Sequence, residues 1–124
     1  MENSNMNLII LYDLDEFAAY RSGKQATIAT YLRATQDPEK RLKKVEVYAK
    51  NIGRRLTMAR IIPCFPDRRE AVNRFIASRF QDKREIRTDR NGAKYPTKIY
   101  NLDAKDLTYL MNLPDGFNAE EMMK

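Results

Sequence analysis

The feature that most limits the possible folds is an amphipathic segment that begins at Asp37-Pro38 and continues to about Ile61. Asp at the N-cap followed by Pro at the first helical position predicts the start of a helix. Apolar residues then recur at alternating spacings of three and four, which places them in one arc of about 100°. They are Leu42, Val45, Ala49, Ile52, Leu56 and Ala59. We therefore expect one long helix packed on a core, with Gly53 allowing close packing at the edge of the buried face.

The opposite face of this expected helix is basic. Its cations are Lys40, Lys43, Lys44, Lys50, Arg54 and Arg55. Only Glu39 and Glu46 lie within the helix, so pairs at i,i+4 cannot neutralise this basic stripe. Cations gathered on one helix face are suited to contact backbone phosphates and to release the counterions of a nucleic acid. An ordinary solvated helix face is the alternative interpretation.

Basic charge is concentrated in the middle of the chain. Residues 38–101 carry eighteen basic and seven acidic side chains, whereas both flanking segments are acidic and the whole chain has a net charge of +6. This balance favours an anionic partner, either a nucleic acid or an acidic protein surface. Membrane binding is disfavoured because the basic helix has no aromatic anchor except Tyr48.

Several classes of protein are excluded by residue type. The 124-residue chain has one cysteine and no histidine, so it has no internal disulfide and too few ligands for a zinc site. No apolar run approaches the ~20 residues of a membrane span, and the N-terminus lacks the basic region of a signal peptide. We expect one cytoplasmic domain over 1–124 without cofactor or metal, with residues 1–6 and 114–124 as loosely held tails.

Residues 16–36 contain a second candidate for nucleic-acid binding. A short helix is followed by the run GKQATIATYLR at residues 23–33, with Ala19 four positions before the glycine and a helix expected over 24–35. This pattern resembles the turn and recognition helix of helix-turn-helix DNA-binding proteins, although Ile28 stands one position early. The resemblance implies a helix in the major groove that reads bases or contacts phosphate through Lys24, Gln25 and Arg33. The alternative is an amphipathic helix broken by a glycine.

Residues 67–102 predict a helix followed by a hairpin. Asp67 is a candidate N-cap for a helix over 67–81, with Glu70 three residues later. Asn91-Gly92, between β-branched and aromatic residues, predicts a β-hairpin over 84–102 with a type I′ turn.

This order of elements resembles the end of a winged-helix domain. The resemblance implies that 67–81 is the recognition helix and that the hairpin is a wing whose cations contact phosphates. The implied base readers are Arg69, Asn73 and Arg74, and the implied wing contacts are Arg87, Arg90 and Lys94.

The expected fold is mainly α with one β-hairpin, in a winged-helix-like single domain. The alternative is a small α+β domain in which the apolar run 7–14 forms a strand that pairs with residues 56–62.

The expected function is non-enzymatic binding of nucleic acid, with duplex DNA preferred to RNA, in a small transcription regulator or replication accessory. The alternative is an adaptor or inhibitor of a nucleic-acid-handling machine, of viral or mobile-element type, which docks on an acidic protein surface. A metal-independent ribonuclease is a third hypothesis. Cys64, flanked by apolar residues and prolines, is expected to be buried rather than nucleophilic, because no histidine can activate it.

Overall fold

The computed structural model describes residues 6–124, which form an α+β fold around a six-stranded mixed sheet; the first five residues of the expected N-terminal tail lie outside the described residues. The strands are β1 (Met6–Asp13), β2 (Ile28–Thr35), β3 (Leu56–Phe65), β4 (Arg84–Thr88), β5 (Lys94–Leu102) and β6 (Phe117–Asn118). The helices are α1 (Leu14–Arg21), α2 (Pro38–Asn51), α3 (Arg69–Arg79), α4 (Ala104–Met111) and α5 (Ala119–Met122). The strand order is β4-β5-β2-β1-β3-β6, and among these described strands only the β3–β6 pair is parallel.

The expectation of a mainly α, winged-helix-like domain is wrong. Residues 28–35 form β2 in the interior of the sheet instead of the second helix of a helix-turn-helix unit. Residues 56–65 form β3 instead of the end of a long helix. The alternative expectation describes the observed pairing of β1 with β3, which are antiparallel neighbours with Ile9 opposite Ile61.

The sheet is covered by helices on both faces. Because successive side chains of a strand point to opposite faces, the continuous apolar run of β1 supplies both cores. One core, beneath α3, α4 and α5, includes Leu8, Ile10, Val72, Phe75, Ile76 and Leu110. The other, beneath α2, includes Ile9, Leu11, Tyr31, Val45 and Ile99. The sequence predicted one core beneath one long helix. The structure instead has two cores, one on each face of the sheet.

Helix α2 ends at Asn51, well before the expected end near Ile61. Gly53 follows with a positive φ, a left-handed conformation that favours glycine. The backbone N–H groups of Gly53 and Arg54 donate to carbonyls in the last turn of α2, which is a Schellman motif. Gly53 therefore stops the helix and directs the chain into β3, instead of allowing close packing.

The helix start predicted at Asp37-Pro38 is confirmed, and two further helices begin with the same type of cap. Asp37, Asp13 and Asp103 are the N-caps of α2, α1 and α4, and each carboxylate accepts a hydrogen bond from a backbone N–H in the first turn. Asp67 is not a cap, since α3 begins two residues later and the Asp67 carboxylate accepts a hydrogen bond from Gln36. An aspartate caps the helix where the helix begins at the next residue, which is the case at α1, α2 and α4 but not after Asp67.

The hairpin expected over 84–102 is confirmed by the pairing of β4 with β5, but its turn is not type I′. In this connection Gly92 alone has a positive φ, whereas both central residues of a type I′ turn require one. The backbone N–H of Asp89 donates to the Ala93 carbonyl, and the Asp89 carboxylate accepts from Asn91 and Ala93. The hydrogen bond between Asp89 and Ala93 closes a three-residue loop over 90–92, which ends at the left-handed Gly92.

The C-terminal residues 114–124, expected as a loose tail, contain β6 and α5. Phe117 and Ala119 are buried, and the Phe117 ring lies 5.6 Å from that of Phe75 in α3. In the described part of the chain, none of the helices is long and apolar enough to cross a membrane.

Candidate functional site

Arg54 is held in a partly buried ion-pair cluster and is not part of an exposed stripe. Its side chain is 16% exposed and makes ion pairs at 2.7–2.9 Å with Asp13, Glu16 and Glu85. Burial opposes the positive charge, but hydrogen bonds to Glu16 and Asp13 and the charge of Glu85 raise the guanidinium pKa above its usual range. Arg54 therefore joins β1, α1 and β4 and is not available to a phosphate.

Arg55 is also engaged, although at the surface. Its guanidinium lies 2.9 Å from the Asp15 carboxylate, and both side chains are exposed. The six-cation stripe expected from residues 38–60 is therefore reduced to the lysines of α2. These are Lys40, Lys43, Lys44 and Lys50, which are exposed and form no ion pair with residues 6–124.

A cleft opens where β2 and β5 separate. Their ladder ends at the Tyr31–Ile99 pair, although β2 continues to Thr35 and β5 begins at Lys94. The separated strand segments and α2 enclose a cleft of about 280 Å³. The cleft is thus a product of sheet topology and involves residues distant in the sequence.

Side chains pair two backbone groups of the strands that border the cleft. The Asn73 Oδ1 atom accepts a hydrogen bond from the backbone N–H of Ala34 at 3.0 Å. The Arg84 Nε atom donates to the Thr97 carbonyl at 2.6 Å. Since buried backbone groups are costly to leave unpaired, both contacts stabilise the strands on either side of the cleft.

The cleft is lined by four cations from three elements. They are Arg33 from β2, Arg41 and Lys44 from α2, and Lys98 from β5. The lining includes no carboxylate, and none of the four is ion-paired within residues 6–124. The nearby acid, Glu85, is occupied by Arg54 and Arg87. Within residues 6–124, the positive charge of the cleft is therefore uncompensated.

The cleft is an unfavourable environment for positive charge, as the pKa of Lys98 indicates. Burial, together with the positive charges of Arg84 and Arg33, lowers the pKa of Lys98. The Nε atoms of Arg33 and Arg41 are buried and have no hydrogen-bond partner in the described chain, so the stems of both side chains are packed in place. Perturbed, like-charged groups that meet in a cleft are characteristic of functional sites. An anion bound here would relieve the repulsion.

A second depression of about 330 Å³ adjoins the cleft along α2. It shares Arg41 and Lys44 with the cleft and adds Lys40 and the first residue of α3, Arg69. Asp37 also lines it, but this carboxylate accepts the backbone N–H of Lys40 as the helix cap. We refer to the cleft and this depression together as the basic groove, with the six cations Arg33, Lys40, Arg41, Lys44, Arg69 and Lys98.

Three tyrosines form the apolar part of the cleft. Tyr31 is buried and packs against Tyr48, with 6.1 Å between the ring centroids. Burial raises the pKa of Tyr48, so its hydroxyl is protonated at neutral pH and able to donate a hydrogen bond. Tyr95 is 43% exposed and has the most accessible ring of the three.

The structure separates the predicted site residues into three groups. The basic groove brings together Arg33, Lys40, Lys44 and Arg69. Exposed positions outside it are occupied by Lys24, Lys43, Lys50, Arg74, Arg90 and Lys94. Internal contacts engage Gln25 (with Glu16 and the Thr27 carbonyl), Asn73, Arg54, Arg55 and Arg87. Two expected base readers, Gln25 and Asn73, thus bind other parts of the chain.

The predicted set lacks five groove residues, of which Tyr31, Tyr95 and Lys98 lie in strands. Arg41, Lys98 and the three cleft tyrosines were not among the predicted site residues. Tyr31 and Arg33 share one face of β2 because they are two residues apart in a strand. For Tyr31, this alternation was the available signal, and it applies only when residues 28–35 are taken as a strand.

The expected burial of Cys64 is confirmed, and burial raises the pKa of its thiol to about 12. Across residues 6–124, no group of three or more His, Cys, Asp or Glu side chains is arranged to hold a metal ion.

Comparison of the chain with protein-family models, with curated proteins and with solved structures finds no match.

Proposed function

We propose that this protein binds nucleic acid without altering it chemically, and that the basic groove holds the phosphate backbone. The observation that carries the proposal is the concentration of six cations in one groove with no carboxylate paired to any of them in the described chain. Phosphates would neutralise these cations and release counterions, which is the main source of affinity for a polyanion.

The extent of the groove over two adjoining depressions favours a polymer over a small anion. The two depressions share Arg41 and Lys44, so a chain of phosphates can pass from Lys98 at one end to Arg69 at the other. A single small anion would use only part of this set.

Major-groove reading is not part of the proposal. Most of the recognition helix expected over 24–35 is the strand β2, and in α3, the other expected recognition helix, Asn73 is bonded to the backbone of Ala34. Affinity would therefore come mainly from the backbone, with weak dependence on sequence.

The proposal is tested by fluorescence anisotropy with labelled single-stranded DNA, single-stranded RNA and duplex DNA over a range of salt. Six engaged cations predict a slope of log K against log salt of about −4 for a single strand. The variant Arg33→Gln/Arg41→Gln/Lys44→Gln removes three groove charges and should flatten the slope by about 2.

The matched control is Lys43→Gln/Lys50→Gln/Lys105→Gln, which removes the same charge from exposed positions outside the groove. We expect it to weaken binding much less than the groove variant. Equal losses in the two variants would show that net charge alone is responsible and would contradict the groove. Absence of binding to all three nucleic acids at low salt would refute the function and favour an acidic protein surface as the partner.

A further inference from the structure

We infer that the cleft accepts one unpaired base of a single strand, stacked on the ring of Tyr95, so that the protein prefers single-stranded nucleic acid to duplex. This inference rests on the proposed function and specifies which form of nucleic acid the groove takes.

The cleft combines cations with aromatic rings, which favours a single strand. A positive groove with accessible aromatic rings is the combination by which proteins hold single strands, because cations track the backbone and rings stack on the bases. Here Tyr95 provides an exposed ring, and Tyr48 and Tyr31 lie behind it as a packed pair. The basic depression beside Lys40, by contrast, has no aromatic residue among its described lining residues.

The volume of the cleft matches a single base. The cleft encloses about 280 Å³. Pockets for small ligands begin at roughly 300 Å³, so this cleft suits one planar ring system. A double helix keeps its bases paired and stacked, so it can contact only the rim of such a cleft. Only an unpaired base can enter and present its face to a side chain.

Positively charged side chains line the cleft together with the Tyr95 ring. Lys98 follows Tyr95 on the same strand, and Arg33 and Arg41 line the cleft with it. A base stacked on Tyr95 therefore has cations available for the phosphates of its own nucleotide. The adjoining depression, with Lys40 and Arg69, would take the next part of the backbone.

The test compares three ligands of equal length: a thymidylate strand, the same phosphate backbone with abasic sites, and a duplex. A uridylate strand repeats the first arm with RNA. We expect the base-bearing strand to bind at least about tenfold tighter than the abasic backbone, since stacking on one aromatic side chain has an effect of this order.

The variant Tyr95→Leu should abolish the preference for bases, so that the base-bearing and abasic strands bind with equal affinity. Tyr20→Leu, in α1 and outside the groove lining, is the control and should keep the preference. Tyrosine emission provides a second readout because the chain has no tryptophan, and it should be quenched by thymidylate or uridylate but not by the abasic strand.

The two proposals fail in different ways. If wild-type protein binds base-bearing and abasic strands equally, in both DNA and RNA, or if Tyr95→Leu keeps the preference, the base site is refuted while backbone binding stands. If neither strand binds at low salt, the proposed function itself is refuted.

Discussion

Replacement of Arg54 by methionine tests whether this arginine stabilises the fold or serves the ligand. Methionine keeps a flexible apolar stem but leaves Asp13, Glu16 and Glu85 without their shared cation. The Asp13 side chain is 5% exposed and Glu85 is 16% exposed, so two of these carboxylates would stay largely desolvated and close together. The substitution should therefore destabilise the protein strongly.

The magnitude follows from the exposure of the partners. Removing one member of a fully buried ion pair costs about 3–5 kcal/mol, because the remaining charge is left unpaired. Exposed pairs contribute about 0–1 kcal/mol. Arg54 is 16% exposed and Glu16 is 27% exposed, so this cluster lies nearer the buried limit. We expect Arg54→Met to lower the free energy of unfolding by about 2–4 kcal/mol.

The assay is urea denaturation followed by circular dichroism, with the midpoint and the m-value compared between variants. Arg55→Met is the matched control, since the neighbouring arginine pairs with Asp15 at the surface and should cost under about 1 kcal/mol. The double variant Arg54→Met/Glu85→Gln should recover part of the loss by removing one of the three carboxylate charges around position 54, although Glu85 also pairs with Arg87. A loss for Arg54→Met no larger than that for Arg55→Met would refute the structural role of the cluster.

Two further predictions concern residues whose roles differ from simple sequence expectations. Replacing Asn73 by leucine leaves the Ala34 N–H unpaired and should cost about 1–3 kcal/mol of stability, while nucleic-acid affinity of the folded variant stays within about twofold; a selective loss of affinity without loss of stability would restore Asn73 as a ligand contact. Cys64 is buried, and burial raises the pKa of its thiol to about 12, so the thiol stays protonated at about pH 8 and native protein should not react with a thiol reagent. Reaction should follow denaturation, and rapid labelling of folded protein would contradict the placement of Cys64.

Local elements of this fold were predictable because their signals involve only neighbouring residues. The Asp37-Pro38 start of α2 and the hairpin over 84–102 depend on backbone conformations that nearby side chains favour. The end of α2 was also available, since Gly53 follows the last turn as a left-handed cap commonly does. The sequence-based expectation missed it because Leu56 and Ala59 continue the helical spacing by coincidence.

The identity of β2 depended on partners distant in the sequence. Ile28, Tyr31 and Leu32 fit the spacing of an amphipathic helix as well as a strand buried on both faces, and periodicity alone does not separate these for a short apolar run. The flanking strands β1 and β5 provide the backbone hydrogen bonds that decide between the two. The candidate site inherited this error, because Tyr31 and Arg33 share a face only in a strand.

By itself, the sequence determined that this protein is basic, that its cations lie in the middle of the chain, and where several helices and one hairpin begin. Only the tertiary structure decided which cations are free. Arg54 and Lys40 look alike in the sequence, yet carboxylates from β1, α1 and β4 surround the first and the second faces an open groove. The physical reason is that the availability of a charge depends on which distant groups folding brings within a few ångströms of it.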